Sequence, residues 1–333
     1  MAGSGTAHLR DGDSMLRVEN LMVEFPAGRG QRVQAVSDLS FDVVRGETLG
    51  LVGESGCGKT TTGRAILQLP PPSGGSVLFE GRDLTRLRAE ELRRTRPRLQ
   101  MIFQDPVSSL NPRRRVRDIV REPLRVWNKD STDGAARVDA MLEAVGLDPN
   151  RVGDRLPSQL SGGQCQRVSI ARALMYGAEL LVCDEPVSAL DVSVQAQILN
   201  LLEATKADFG LTLVFIAHDL AVVKNISDRV AVMYLGKLCE IGPPSEIYAN
   251  PQHPYTAALM AAVPVPDPEV EPIPLPITGE LPSPLDPPSG CRFRTRCPRA
   301  QALCGQQEPV VRAMADGHYV ACHFPLSDAG ADQ

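Results

Sequence analysis

The sequence lacks any apolar run near the roughly 18 residues that a membrane-spanning helix needs. Its longest run, Leu211 to Ala217, has the length of a buried strand instead. The first residues also lack an apolar segment, so no signal peptide is expected. The sequence therefore predicts a protein of the cytosol that reaches a membrane only through its partners.

The sequence also has no excess of basic residues and no internal repeat. The chain has 35 basic and 40 acidic residues and a net charge of −5. A sequence-independent nucleic-acid binder is usually strongly basic, so this composition disfavours that class. With 333 residues, 43% hydrophobic and no repeat, the chain is expected to hold one main domain and an extension.

Strands and helices are predicted to alternate along most of the chain. Residues 16–50 contain several strand-like segments, and helical patterns dominate from about 86 to 172. From Glu179 onward, apolar strands alternate with helices, which favours a parallel sheet covered on both faces. The proline-rich stretch 263–290 predicts an extended arm, because proline interrupts helices and sheets.

A glycine-rich motif, GESGCGKT, follows an apolar strand and precedes a helix at residues 53–60. Its glycines allow backbone N–H groups to converge on an anion, and the helix directs its positive end at phosphates. Lys59 is predicted to reach the β- and γ-phosphates, and Thr60 to ligate Mg²⁺. The alternative is an accidental glycine-rich turn. The predicted nucleotide-binding set is Gly53, Glu54, Ser55, Gly56, Cys57, Gly58, Lys59, Thr60 and Thr61.

A second candidate site is the apolar strand that ends in Asp184 and Glu185. Asp184 is predicted to hold Mg²⁺ through its water shell. Glu185 is placed to polarise a water for attack on the γ-phosphate. The alternative, a solvated acidic turn, is disfavoured by the phosphate loop in the same chain.

A further phosphate-facing helix start is predicted at LSGGQ, where an amphipathic helix follows Ser161, Gly162, Gly163 and Gln164. With this motif in place, the sequence resembles the ABC ATPase family over about residues 16–250. The other motifs of that family occur in order. Gln104 in IFQDP resembles the Q-loop, Asp191 in SALD the D-loop, and His218 in FIAHD the switch histidine.

This resemblance implies an α/β fold with a P-loop NTPase (RecA-like) core and a parallel sheet. It adds an N-terminal antiparallel β subdomain, a helical signature subdomain and an irregular C-terminal extension rich in proline and cysteine. The expected organisation is a flexible tail over 1–14, a nucleotide-binding domain over 15–250 and an extension over 251–333. The helical subdomain is expected at about 105–175.

The resemblance also implies a mechanism in which two such domains pair head to tail. ATP at Lys59 of one domain is then capped by the LSGG segment of the other. His218 contacts the γ-phosphate, while Gln104 senses Mg²⁺ and water and links to the pore subunit. The implied catalytic residues are Lys59, Gln104, Glu185 and His218, and the implied Mg²⁺ ligands are Thr60, Gln104 and Asp184. Phe25 is a candidate for stacking on adenine, with a core strand position as the alternative.

The segment HPYTAAL and the cysteine-rich C-terminus resemble the ATPases of oligopeptide and dipeptide importers. QDPVSSLNPR and VMYLGK favour the second, F-type chain of such importers. The implied partners are a second ABC ATPase chain, two transmembrane permease subunits and, indirectly, an extracytoplasmic substrate-binding protein. The implied location is the cytoplasmic face of the inner membrane. Alternatives are import of nickel, glutathione or another small solute, or a soluble ABC ATPase of translation or DNA repair.

Four cysteines, Cys291, Cys297, Cys304 and Cys322, lie close together near the C-terminus. Four thiolates can hold an iron–sulfur cluster or Zn²⁺, although this spacing is neither a common ferredoxin run nor a C-x₂-C zinc pair. The resemblance suggests a 4Fe-4S cluster. Zn²⁺ and unligated thiols, including a redox switch, remain alternatives. His318 and His323 lie near enough in sequence to be substitute ligands.

Overall fold

A computed structural model describes residues 5–28, 30–262 and 279–327. The chain forms two compact units, of which unit 1 holds residues 1–87 and 217–333 and unit 2 holds residues 88–216. Residues 263–278 of the predicted proline-rich arm and residues 1–4 of the predicted tail lie outside the described residues. No helix within the described ranges is long and apolar enough to cross a membrane.

The first part of unit 1 is built mainly of strands. Its elements are β1 (Ser14–Pro26), β2 (Arg32–Val44), β3 (Thr48–Val52), α1 (Lys59–Ile66), β4 (Gly74–Phe79) and β5 (Arg82–Asp83). Four of these strands pair antiparallel in the order β2-β1-β4-β5. Leu16, Val18 and Leu21 of β1 are fully buried. The prediction of an N-terminal antiparallel sheet is therefore confirmed.

The segment before β1 makes specific contacts within unit 1. His8 is buried, and its Nε2 lies 2.7 Å from the backbone oxygen of Ser40. Arg10 forms an ion pair with the buried Asp42, with 2.7 Å between Nε and Oδ2. These contacts hold the described part of the predicted tail against β2.

Unit 2 is mainly helical around a small sheet. Its elements are α2 (Ala89–Thr95), β6 (Leu99–Ile102), α3 (Val116–Val126), α4 (Gly134–Ala144), α5 (Pro149–Val152), α6 (Gly162–Leu174), β7 (Leu180–Asp184), α7 (Val192–Phe209) and β8 (Thr212–Ala217). The three strands are parallel, with β7 between β6 and β8. Every residue of β7 and β8 is buried. Burial on both faces explains why these strands are continuous apolar runs in the sequence.

The second part of unit 1 completes its sheet. Its elements are α8 (Leu220–Ile226), β9 (Arg229–Tyr234), β10 (Lys237–Gly242), α9 (Pro244–Ala249), α10 (Pro254–Ala261), α11 (Ala302–Gln306), β11 (Arg312–Ala315) and β12 (His318–Val320). β3 pairs in parallel with β9, and β10, β12 and β11 continue the sheet in antiparallel pairs. In its described residues, the C-terminal extension thus contains the helices α10 and α11 and the strands β11 and β12, whereas the sequence predicted an irregular segment.

A buried carboxylate on β10 holds the extension to this sheet. Glu240 accepts hydrogen bonds from the backbone N of Gln252 at 2.7 Å and of His253 at 2.8 Å. The Nε2 of His318 on β12 lies 2.6 Å from Glu240 Oε1, and both residues are completely buried. His318 is therefore occupied by Glu240, whereas the sequence analysis considered it as a metal ligand.

Candidate functional site

The glycine-rich motif forms the loop between the buried strand β3 and helix α1, as predicted. Gly53 has φ +153°, and a Cβ there would meet the backbone oxygen of Met233 at 2.2 Å. Gly58 has φ +104°, and a Cβ there would meet the backbone oxygen of Ala35 at 2.2 Å. Both positions require glycine, because a side chain would clash with fixed backbone.

Lys59 is the first residue of α1, and its side chain turns back over the loop. Its Nζ donates to the backbone oxygens of Gly53 at 2.7 Å and of Glu54 at 3.0 Å. Ser55 and Gly56, at the tip of the loop, are exposed, whereas Cys57 is buried, which raises the pKa of its thiol. The loop therefore presents its tip to solvent, at the positive end of a helix.

Glu54, inside the loop, is held by residues of the C-terminal half of unit 1. Its carboxylate accepts two hydrogen bonds from Arg296 Nη1, at 2.9 and 3.2 Å. Its backbone N donates to the hydroxyl of Tyr255 at 2.8 Å. The sequence analysis missed Arg296 and Tyr255 at this site, because no local pattern links Glu54 to partners that are 242 and 201 positions away.

Two of the predicted catalytic side chains lie together in unit 2. Gln104 Nε2 donates to Glu185 Oε2 at 3.0 Å. Glu185 follows β7, and its backbone N donates to Ile216 O at 2.9 Å. Its φ of +46° is uncommon for a residue with a Cβ, and such conformations concentrate at functional sites. Asp184 ends β7 and is 1% exposed.

The LSGGQ motif starts helix α6 in unit 2 with a reciprocal cap. Ser161 Oγ accepts from the backbone N of Gln164 at 3.3 Å, and Gln164 Oε1 accepts from the backbone N of Ser161 at 3.0 Å. Gly163 is buried, and a Cβ there would meet Val194 Cγ1 at 2.6 Å. Ser161 and Gly162 are exposed. The cap fixes the helix end and leaves its serine and first glycine at the surface.

The D-loop joins β7 to α7 in unit 2. Ser188 Oγ donates to the backbone oxygen of Glu185 at 3.0 Å, so this turn is attached to the predicted catalytic acid. Asp191 is the N-cap residue of α7 and is exposed. Its carboxylate is therefore available at the surface.

The remaining nucleotide-site candidates belong to unit 1 and are exposed or partly exposed. His218 directly follows β8 and is exposed. Phe25 lies on β1 and is 37% exposed, so it does not have the core position that was its alternative. Thr60 and Thr61 lie in the first turn of α1 and are partly exposed.

The four C-terminal cysteines line one small cavity in unit 1, together with His323. Burial raises the pKa of Cys291 to about 11 and that of Cys322 to about 12, and it also raises that of Cys297. Within the described parts of the chain, no three His, Cys, Asp or Glu side chains are arranged to hold a metal ion. The cysteines thus share a cavity but do not form a ligand set.

The chain is similar to known proteins over most of its length. Residues 36–188 match the model of the ABC transporter family, and residues 239–304 match that of the oligopeptide/dipeptide transporter C-terminal region. The oligopeptide transport ATP-binding protein OppF of Haemophilus influenzae is 49% identical over 92% of this chain and 96% of its own. This chain belongs to the ABC ATPases, in the branch of the oligopeptide transport ATP-binding proteins.

Other relatives of this ABC ATPase agree. The Escherichia coli OppF is 50% identical over 92% of this chain and 95% of its own, and the Bacillus subtilis AppF is 48% identical over 94% and 98%. Among solved structures, a dimeric ATP-binding cassette, MJ0796 bound to ADP and Pi, covers 69% of this chain and 99% of its own. Its TM-score is 0.63 at 27% identity, which supports the α/β fold class that the sequence predicted.

Proposed function

We propose that this ABC ATPase supplies the energy for an importer of oligopeptides or dipeptides. The observation that carries the proposal is the phosphate loop, whose glycines are required by backbone contacts and whose Lys59 bonds back to Gly53 and Glu54 at the start of the loop. ATP hydrolysis is the activity of the family to which this chain belongs. The peptide cargo is supported by the oligopeptide transport names of the relatives and by the matching C-terminal region. Those names favour peptides over nickel or glutathione.

ATP binding is assigned to the loop residues Gly53 to Thr61 and to Phe25. Backbone N–H groups of the loop and the Lys59 ammonium bind the β- and γ-phosphates, because the start of α1 attracts negative charge. Phe25 stacks on the adenine ring, which its exposure on β1 allows. Thr60, Gln104 and Asp184 provide oxygen ligands for Mg²⁺, directly or through water.

Hydrolysis is assigned to Glu185, with Gln104 and His218 as further catalytic residues. The carboxylate of Glu185 accepts a proton from the attacking water, while Gln104 holds that carboxylate by the 3.0 Å hydrogen bond. His218 contacts the γ-phosphate and stabilises the charge that develops on it. Each of these roles rests on family membership together with the position of the side chain in its own unit.

Completion of each site by a second ATPase chain is the next part of the proposal. The start of α6 lies at the surface and contains Ser161, Gly162, Gly163 and Gln164. These residues can contact phosphate only if another chain presents its bound nucleotide to them. In a head-to-tail pair they cap the ATP bound to the partner chain, with Asp191 near the same interface. The dimeric state of the similar MJ0796 cassette supports this arrangement.

Two transmembrane permease subunits are the proposed receivers of the energy, and an extracytoplasmic binding protein delivers the peptide to them. The ATPase then lies on the cytoplasmic face of the membrane as a peripheral subunit. Purification from gently solubilised membranes tests this. The tagged chain is expected to bring down integral membrane subunits and a second ABC ATPase. Recovery of the chain alone, or with ribosomes or DNA, would contradict the proposal.

The domain division that we propose keeps the nucleotide-binding domain at 15–250 and the extension at 251–333. For the extension, the finer proposal is a 4Fe-4S cluster, with Zn²⁺ as the alternative. Its support is the donor chemistry of the four cysteines and the cavity that they share; to bind one metal group their thiols would have to rearrange, because they do not form a ligand set here. If bound, the metal would crosslink the chain between residues 291 and 322.

A further inference from the structure

The contact between Arg296 and Glu54 joins the cysteine-rich extension to the phosphate loop within unit 1. The Arg296 side chain is 9% exposed, and the Glu54 side chain is 26% exposed. Arg296 also lies 3.4 Å from the Tyr234 hydroxyl, and its guanidinium is 5.7 Å from the Tyr234 ring. An ion pair so shielded from water is stronger than one at an open surface.

The charge of Glu54 makes this contact relevant to ATP. A carboxylate in the loop that binds a triphosphate repels the incoming phosphates, since like charges a few ångströms apart oppose binding. Arg296 neutralises that carboxylate and holds it by two hydrogen bonds. Tyr255 and Lys59 hold the backbone of the same residue. Glu54 is therefore fixed through its side chain and both of its backbone polar groups.

The segment that carries Arg296 is short and firmly packed. It lies between Cys291 and Cys297, and the backbone N of Arg296 donates to Phe293 O at 2.9 Å. Phe293 is 2% exposed, and its ring centroid is 5.1 Å from that of Tyr234 and 5.3 Å from that of Tyr255. The position of the Arg296 guanidinium is therefore set by a packed segment that begins and ends at a cysteine.

We propose that Arg296 is a positioning residue of the ATP site, through which the cysteine-rich extension sets the affinity of the phosphate loop for ATP. The proposal rests on the function proposed above, namely that ATP binds at this loop. Arg296 does not touch the nucleotide; it acts on Glu54. Loss of Arg296 leaves an uncompensated carboxylate in the loop and releases one of the restraints on its conformation.

The test measures ATP binding by the full-length chain. Arg296→Ala is expected to weaken ATP about tenfold, which is the usual range for coupled charged neighbours. Arg296→Lys retains the positive charge on a different, more flexible side chain and is expected to recover part of the affinity. Arg294→Ala is the matched control, because the Arg294 side chain donates to the backbone oxygen and the hydroxyl of Ser289 in the same extension. Its affinity is expected to stay within about twofold of the wild type.

A second substitution separates positioning from general damage to the fold. Glu54→Gln removes the repelling charge, so in the Arg296→Ala background it is expected to restore most of the lost affinity. If Arg296 only stabilised the extension, Glu54→Gln would not rescue binding. A double variant that binds ATP as weakly as Arg296→Ala, or an Arg296→Ala variant that binds as tightly as the wild type, would overturn the proposal.

A failure of the proposed function gives a different result. If ATP does not bind at this loop, Lys59→Ala binds ATP as the wild type does, whatever happens at Arg296. If Lys59→Ala loses binding while Arg296→Ala does not, the phosphate-loop assignment stands and the positioning role of Arg296 is wrong.

Discussion

Gln104 Nε2 donates to Glu185 Oε2 at 3.0 Å, and this bond joins two residues that are 81 positions apart in the sequence. The bond orients the carboxylate of a residue whose backbone already has the uncommon φ of +46°. A carboxylate held in this way is pre-organised to accept a proton from one direction.

Replacement of this carboxylate by an amide should separate binding from chemistry. In Glu185→Gln, ATP affinity is expected to remain, whereas kcat falls about 10²- to 10⁴-fold because the general base is gone. Phosphate release with the assembled transporter measures kcat, and nucleotide titration measures affinity. Turnover near that of the wild type would remove Glu185 from its assigned role.

Removal of the loop lysine should act on binding itself. Lys59→Ala loses a charge-assisted contact with the phosphates, so ATP is expected to bind about 10- to 100-fold more weakly. Equilibrium titration with ATP measures the change. Lys224→Ala is the control, because Lys224 lies against the Tyr248 ring, 5.4 Å from its centroid, and has no assigned part in ATP binding. Equal effects of the two substitutions would argue against a specific phosphate contact.

Ser161 is expected to act on the site of the partner chain. Ser161→Ala removes the cap of α6, at a cost of about 1 kcal/mol, and also a hydroxyl at the phosphate-facing helix end. In a heterodimer with one Ser161→Ala chain, hydrolysis at the site built on the partner's phosphate loop should fall about 10²-fold. Ser158→Ala, at an exposed position of the preceding turn, serves as the control. Unchanged turnover at that site would contradict head-to-tail pairing.

Stability should depend on His253 under mildly acidic conditions. Burial lowers the pKa of His253 to about 4, and the carboxylate of Glu240 opposes this shift only in part. In the unfolded chain the imidazole titrates near its ordinary pKa of about 6.5. Between pH 6.5 and 4 the unfolded state therefore binds more protons than the folded state. The stabilisation is complete above pH 6.5 and is lost as the pH falls through this window.

Between pH 6.5 and 4, the free energy of unfolding is expected to fall by about 1.4 kcal/mol for each unit that the pH decreases. His253→Asn removes the titrating group and keeps a side-chain acceptor for the backbone N of Tyr255, which His253 Nδ1 caps at 3.0 Å. Denaturant midpoints measured at pH 7, 5.5 and 4.5 should therefore fall more steeply for the wild type than for His253→Asn. Parallel midpoints would show that His253 is not the group responsible.

Metal content tests the cysteine cavity. Protein purified without oxygen is expected to contain iron and sulfide in equal amounts and to absorb visible light, and Cys297→Ser is expected to lose most of both. Cys165→Ala, in unit 2, is the control. A colourless protein that contains zinc would support Zn²⁺ in place of the 4Fe-4S cluster. A wild-type protein without metal, whose four thiols react with alkylating reagents on mild unfolding, would contradict both.

Motifs whose chemistry is local could be predicted from the sequence. The phosphate loop needs Gly53 and Gly58 because their φ values and backbone neighbours exclude a side chain, and that requirement is written in the motif itself. The cap formed by Ser161 and Gln164 spans only three residues. Continuous apolar runs predicted the buried strands β7 and β8 because these are covered on both faces.

Contacts between distant residues could not be predicted in this way. Nothing near Arg296 in the sequence indicates that its partner is Glu54, and a single arginine has no periodicity to read. His318 also has a partner 78 residues away, and the sequence analysis gave it a different role. The strand β12 has three residues, which is too short for an alternation pattern to be recognised.

The contacts of Glu240 determine which truncated forms of this protein can fold. A fragment that ends near residue 250, the proposed end of the nucleotide-binding domain, would retain this carboxylate but lose the imidazole and both backbone donors that hold it. It would also uncover the outer edge of β10 and leave a bare negative charge in its interior. Such a truncated ATPase is expected to aggregate, so studies of nucleotide chemistry require the whole chain.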